Sequence, residues 1–127
     1  MPGSGPRRRV DRRRRLGIAG EDAVARWYEA AAYEVLDRNW RCRDGELDLV
    51  VRRDATLVFC EVKTRASTRF GAPFEAVTAT KQRRLRTLAA RWLAEHDARR
   101  RALRFDVASV TRTGNGELVV EVLESAF

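Results

Sequence analysis

The chain has 127 residues, a formal net charge of +8 and a hydrophobic content of 44%. These values predict one globular domain, over residues 16–127, that buries a core without metal or disulfide support. No apolar run approaches the roughly 18 residues of a membrane span, and no apolar stretch follows the basic N-terminus as it would in a secretory signal. We therefore expect a cytoplasmic protein with no membrane partner.

Arginine carries almost all of the positive charge. Two of the 26 basic residues are lysines, Lys63 and Lys81, which leaves 24 arginines. Such a surplus of positive charge favours a polyanion partner, above all nucleic acid. We expect that nucleic acid to be DNA. A GC-rich coding sequence would enrich arginine in the same way without any bearing on binding. Because such a bias replaces lysine with arginine, the two lysines that remain are more informative than the arginines.

The cysteines do not indicate a zinc site. Cys42 and Cys60 form no C-x-x-C pair and no cluster with the single histidine, His96, so the common zinc-ligand spacings are missing. Cys60 lies in an apolar run and is expected to pack as a small core residue. A disulfide between the two is disfavoured by the expected cytoplasmic location.

The N-terminal third is predicted to contain a basic arm and a helix. Residues 1–15 hold seven arginines with proline and glycine, which predicts a disordered arm that either follows a phosphate backbone or stays a solvated tail. A first helix is predicted over 16–32. Glu21 falls on its apolar stripe, which indicates either compensation of the helix dipole or a carboxylate that reaches the sheet.

Hydrophobic periodicity predicts an α/β fold with the element order αβββαββ. A long connection is expected over residues 65–79, and Asn115-Gly116 marks a hairpin turn before the last strand. Asp106 shares a strand face with Arg104, so we expect a paired structural acid there. The predicted strands cover residues 33–40, 46–52, 56–64, 103–110 and 117–123, and the predicted second helix covers residues 80–95.

Two pairs of ionisable residues dominate the centre of the chain. Glu46 and Asp48 are spaced i, i+2, as are Glu61 and Lys63, and this spacing puts both members of a pair on one face of a strand. Leu47, Leu49 and Val51 alternate with these acids and would then occupy the opposite face. A short join at residues 52–55 would set the two strands side by side. The sequence thus predicts a patch of three carboxylates and one ammonium, which is costly to bury without a counter-ion.

Such a patch suits a hard divalent cation. Mg²⁺ takes oxygen ligands and commonly uses one or two protein carboxylates, with water and phosphate completing its shell. Asp48 and Glu61 are the candidate carboxylate ligands, and the backbone carbonyl of Val62 is a candidate third oxygen. Glu21 or Glu46 could contribute directly or through water. We therefore expect Mg²⁺, or Mn²⁺, as cofactor.

Lys63 would stand beside that cation. It could orient or deprotonate an attacking water, or neutralise charge in the transition state of phosphodiester hydrolysis. The alternative is a cross-strand salt bridge on a solvated face, worth about 0.2–1 kcal/mol. Leu57 and Phe59 share the face of Glu61 and Lys63, so we expect that face to be partly covered, and we expect the first helix to cover it.

Five further side chains are candidates for nucleic-acid contacts. Arg65 and Arg69 lie in the long connection, where they could meet a phosphate backbone. Lys81, Gln82 and Arg83 lie in the first turn and a half of the second helix. A cation there opposes the helix dipole, so contact with a phosphate or with the acidic patch would explain Lys81. An ordinary solvated lysine is the alternative.

The chain has an acid, Asp48, then a turn between two strands, and then the Glu-x-Lys motif of Glu61 and Lys63. This order resembles the signature of PD-(D/E)xK nucleases. More specifically, this chain is similar to the uncharacterised bacterial YraN-like proteins of family UPF0102. The similarity spans nearly all of residues 16–122, and Leu47 stands where the nuclease signature has proline. It rests on three successive segments, GEDAVARWYEAAAYEVLDRNWRCRDGELDLV, LVFCEVKTR and TATKQRRLRTLAARWL.

That family is similar in turn to archaeal Holliday-junction resolvases. The resemblance implies a restriction-endonuclease-like fold, with a central mixed five-stranded sheet flanked by helices, and a homodimer. It also implies that Glu21 is a catalytic acid on the first helix, that Asp48 and Glu61 are metal ligands, and that Lys63 is the catalytic lysine.

The leading hypothesis is therefore a metal-dependent endonuclease that acts on DNA, with branched or junction DNA as the candidate substrate. The first alternative is a nucleic-acid-binding protein that keeps a nuclease-like fold without cutting. The second is a structural or adaptor protein in which the acidic patch is only an ion-pair network.

Overall fold

The computed structural model describes residues 6–66, 77–96 and 102–127, with side chains from residue 9 onward. Within these ranges, two helices and five strands follow the order αβββαββ, which confirms the predicted α/β class. They are α1 (Pro6–Ala30), β1 (Glu34–Cys42), β2 (Gly45–Arg53), β3 (Thr56–Arg65), α2 (Ala79–Glu95), β4 (Ala102–Arg112) and β5 (Leu118–Leu123).

All five strands form one mixed sheet in the spatial order β1-β2-β3-β4-β5. The pair β3 and β4 is parallel, whereas the other three neighbouring pairs are antiparallel. A parallel pair needs a crossover, and α2 lies in the connection between β3 and β4. The predicted restriction-endonuclease-like arrangement of a mixed sheet flanked by helices is confirmed.

The two helices cover opposite faces of the sheet. Tyr28 of α1 packs into a core that contains Val58 and Cys60 of β3, and both cysteines are free. Trp92 of α2 packs into a second core with Leu57 and Phe59. The expectation that the first helix covers the face of Leu57 and Phe59 is therefore wrong. Strand alternation shows which residues share a face, but it does not show which helix covers that face.

The first helix begins earlier than its apolar stripe indicates. The prediction of a disordered arm over residues 1–15 needs correction, because α1 already includes residues 6–15. Pro6 suits the first helical position, arginine is a good helix former, and extension of an existing helix avoids a new nucleation step. Residues 1–5 lie outside the described part. Of the two described helices, neither combines the length and apolar character that crossing a bilayer requires.

A buried acid on β4 ties α1 to the sheet. Asp106 on β4 is 1% exposed and accepts a hydrogen bond from the Tyr28 hydroxyl at 2.6 Å. It also accepts from Nε and Nη2 of Arg104, each at 2.9 Å, and from the backbone N–H of Ser125 at 3.0 Å. The expectation of a paired structural acid at Asp106 is confirmed.

Candidate active site

The candidate site lies where β2 and β3 separate. Their pairing ends at Leu49 and Cys60, although β2 begins at Gly45 and β3 runs on to Arg65. Since β3 stays paired with β4 to its end, it is β2 that diverges. We call the space between residues 45–48 and 61–65 the β2–β3 gap. It offers backbone groups of β3 that no ladder partner on β2 occupies.

Asp48 fills part of this gap. Its Oδ2 accepts a hydrogen bond from the backbone N–H of Val62 at 2.8 Å, in place of the carbonyl that a continued ladder would supply. An extended residue directs its N–H and its C=O to the same side of the strand. The Val62 carbonyl therefore faces the β2–β3 gap as well, beside the Asp48 carboxylate.

The strand alternation is interrupted at Asp48. Leu47 packs into the core under α2, whereas Leu49 packs into the core under α1, so the expectation that these leucines share a face is wrong. Opposite Asp48, between the pairs of β1 with Leu49 and Leu47, Asn39 adopts φ 52°. Asparagine tolerates this left-handed conformation better than most residues. The local irregularity directs Asp48 toward β3.

Glu21 approaches the same region from α1. Gly20 makes this possible, because a Cβ at that position would lie only 2.0 Å from Thr64 Oγ1 on β3. The Glu21 carboxylate accepts a hydrogen bond from the Asn39 side chain, while burial, the larger effect, raises its pKa. Its Oε2 is buried and has no hydrogen-bond partner among the described residues. The interpretation of Glu21 as a carboxylate that reaches the sheet fits this placement.

Burial and neighbouring acids shift Asp48 strongly. Burial is the main cause that raises the pKa of Asp48 from its ordinary 3.8 to about 7. The hydrogen bond from the Val62 N–H opposes this shift, whereas the neighbouring carboxylates of Glu21, Glu61 and Glu46 add to it. The structure thus brings the four sequence-predicted carboxylates into one electrostatic cluster. Such a cluster favours a bound cation, which would relieve the mutual repulsion.

Glu61 and Lys63 complete the cluster from β3. Glu61 Oε2 is buried and, within the described residues, has no hydrogen-bond partner. Burial is the main cause that lowers the pKa of Lys63, and the ammonium of Lys81 is the next. The carboxylate of Glu61 opposes this shift, whereas the charge of Arg65 adds to it. The only two lysines of the chain are therefore neighbours in space. Their spacing in the sequence gave no sign of that contact.

Glu46 and two of the predicted nucleic-acid contact residues bond to residues that are close to them in the sequence. The carboxylate of Glu46 forms an ion pair with Arg41 Nε at 3.2 Å, which holds it at the rim. Gln82 Nε2 donates to the Val77 carbonyl at 3.2 Å, and Arg83 donates to Thr80 Oγ1 at 3.4 Å. Arg69, predicted to contact nucleic acid, lies outside the described residues. Among the described residues predicted to contact nucleic acid, Lys81 and Arg65 lie close enough to Lys63 to lower its pKa.

The donor set fits a hard cation such as Mg²⁺ or Mn²⁺. The described residues contain no group of three or more His, Cys, Asp and Glu side chains that could hold a metal ion by themselves. Mg²⁺ does not need one, since two carboxylates and a carbonyl leave room for water and phosphate. The unpartnered oxygens of Glu21 and Glu61 are the specific sign of fit, because buried acceptors are rarely left unsatisfied.

Comparison with known proteins agrees on one family. Residues 20–110 match the model of "Uncharacterised protein family UPF0102". A "UPF0102 protein" of Beutenbergia cavernae is 60% identical over 108 residues, which cover 85% of this chain and 92% of that protein. A "UPF0102 protein" of Nocardia farcinica is 48% identical over 119 residues, which cover 94% of each chain.

Proposed function

We propose that this chain, which belongs to the uncharacterised protein family UPF0102, is a metal-dependent endonuclease that hydrolyses phosphodiester bonds in DNA. Branched or junction DNA is the substrate we favour, and the cytoplasm is the location. The observation that carries the proposal is the β2–β3 gap, where Asp48 is hydrogen-bonded to the Val62 backbone beside Glu61 and Lys63.

Asp48, Glu61 and the Val62 carbonyl would hold Mg²⁺ or Mn²⁺. When bound, the ion supplies Lewis acidity toward the phosphoryl oxygens and makes water a better nucleophile. The Glu61 carboxylate already lies close enough to Lys63 to affect its pKa, so both would face the scissile phosphate together. Phosphoryl transfer depends mainly on positioning and charge, for which this small set of groups suffices.

Lys63 has the character that proton transfer needs. Because burial and Lys81 lower its pKa, its Nζ releases a proton more readily than an ordinary lysine and, once neutral, can accept one from the attacking water. Glu21 Oε2, which is buried and without a described partner, would orient that water from the α1 side. A second copy of the chain, as the resemblance to resolvases implies, would supply a second site for the opposite strand.

A non-catalytic nucleic-acid-binding protein is the second candidate. It is favoured by exposed arginines in the first half of α1, namely Arg9, Arg12, Arg13 and Arg15. Cations of this kind contact phosphates without regard to base sequence. The second candidate predicts binding that weakens steeply with salt and does not lead to cleavage.

The test is cleavage of four-way junction, flap and linear DNA with Mg²⁺ or Mn²⁺ by the wild type, Glu61→Gln and Lys63→Met. We expect each substitution to lower the cleavage rate at least about a hundredfold, since Glu61→Gln removes a proposed metal ligand and Lys63→Met removes the proposed proton acceptor. Glu29→Gln, a change at an exposed α1 position, is the matched control and should keep wild-type activity.

The outcomes separate the candidates. Cleavage that survives both Glu61→Gln and Lys63→Met would contradict the proposed site. Salt-sensitive binding by the wild type with no cleavage of any DNA in either metal would instead support the second candidate. Absence of both binding and cleavage would contradict both.

A further inference from the structure

A cavity walled by arginines lies next to the candidate site. It has a volume of about 510 Å³, and five arginines line it, four from α1 and one from the end of β4 (Arg9, Arg12, Arg13, Arg15 and Arg112). Its lining is mainly apolar between the arginines and includes Leu16 and Ala19 of α1 and Leu118 of β5, which we call the floor of the cavity. We call the whole cavity the arginine cavity. This volume is in the range of small-molecule and cofactor sites.

The arginine cavity continues toward the acidic cluster. A second cavity of about 370 Å³ is lined by Glu21 and Val62, and it shares Arg13, Leu16 and Ala66 with the first. The two cavities are therefore adjacent, and the second one reaches Glu21 and Val62 at the β2–β3 gap. Arg13 lies at the junction of the two cavities.

The arginines lack internal counter-ions. Within the described ranges, none of the five forms a salt bridge with a carboxylate, in contrast to Arg38, Arg52 and Arg91, which each do. Uncompensated guanidinium groups at one concave surface create a field that attracts an anion. Guanidinium also matches phosphate geometry better than ammonium does.

From these contacts we infer that the arginine cavity binds an unpaired nucleotide of the substrate strand, next to the phosphodiester held at the β2–β3 gap. The phosphates lie against the arginines, and the base lies on the apolar floor of Leu16, Ala19 and Leu118. A base inside a duplex is paired and stacked on its neighbours, so its face cannot lie on this apolar surface, whereas an overhang, a flap or a branch point offers a free base. The inference rests on the proposed function and specifies its substrate as DNA with unpaired nucleotides.

The test compares two double variants on two DNAs. Arg12→Gln/Arg13→Gln removes two charges from the cavity. Arg14→Gln/Arg26→Gln removes two charges from exposed positions of the same helix that line neither cavity. Affinity is measured by fluorescence anisotropy over a salt series in EDTA, with a blunt duplex and with the same duplex carrying a single-stranded overhang. EDTA separates this test from cleavage, so either proposal can fail without the other.

On the overhang DNA, we expect the cavity variant to reduce the salt slope by about 1.4, from two lost phosphate contacts at about 0.7 each. The matched variant should keep the wild-type slope there. On the blunt duplex, the two variants should behave alike. Equal loss by both variants on the overhang DNA, or equal loss by the cavity variant on both DNAs, would overturn the inference.

Discussion

Replacement of Asp48 by asparagine is expected to stabilise the metal-free protein, and increasingly so as the pH rises. Burial raises the pKa of Asp48 from 3.8 to about 7, so between these values the folded state binds more protons than the unfolded state. Stability of the wild type must then fall as the pH rises through that window. Asparagine cannot ionise, and its side-chain oxygen can still accept the Val62 N–H.

The expected size follows from linkage. With one pKa unit worth about 1.4 kcal/mol, the advantage of Asp48→Asn in the free energy of unfolding should grow by roughly 2–3 kcal/mol between pH 5 and pH 8. Urea unfolding in EDTA at several pH values measures it. Asp11→Asn, at an exposed position on α1, should change stability little at any of them. An advantage of Asp48→Asn that is the same at pH 5 and pH 8 would contradict the buried position of this carboxylate.

Replacement of Asp106 by alanine is expected to cost about 3–5 kcal/mol of stability, the typical penalty for breaking a buried pair from one side. The substitution leaves the Arg104 guanidinium, the Tyr28 hydroxyl and the Ser125 N–H without their shared acceptor. Arg104 would suffer most, because its side chain is only 17% exposed and its other carboxylate partner, Glu124, is 3.7 Å away.

Two variants calibrate this result in urea unfolding at pH 7. Tyr28→Phe removes one hydrogen bond to the same carboxylate and should cost about 1 kcal/mol. Glu34→Ala removes the acid of an exposed ion pair with Arg52 and should cost less than about 1 kcal/mol. If Asp106→Ala were no more costly than Glu34→Ala, the Asp106 network would not be what fixes α1 on the sheet.

Local sequence patterns predicted the order of the elements and singled out the candidate residues that the structure brings to the β2–β3 gap. The i, i+2 spacing of Glu46 with Asp48 and of Glu61 with Lys63 indicated two neighbouring strands with a shared acidic patch, and the structure places both pairs at the β2–β3 gap. Glu21 was identifiable because an acid on an apolar helix stripe needs a reason. These features depend on local patterns, which a sequence displays directly.

The features that the sequence did not reveal depend on tertiary structure. Period-2 alternation assumes a regular strand, so it could not anticipate the irregularity opposite Asn39 that puts Leu47 and Leu49 into different cores. The contact between Lys63 and Lys81 needs the crossover of the chain between β3 and β4. Helical structure before residue 16 was missed because arginines without an apolar stripe resemble a disordered tail, although they extend a packed helix at little cost.

The central claim is that Asp48 and Glu61 together form a divalent-metal site at the β2–β3 gap. Calorimetric titration of the wild type with Mn²⁺ at pH 8 tests it most directly, with Asp48→Asn, Glu61→Gln and the exposed control Glu29→Gln alongside. We predict one site per chain in the wild type and in Glu29→Gln, and affinity at least about tenfold weaker in the two gap variants, because each loses one of two carboxylate ligands. Wild-type Mn²⁺ affinity in both gap variants, or no binding by the wild type, would contradict the claim.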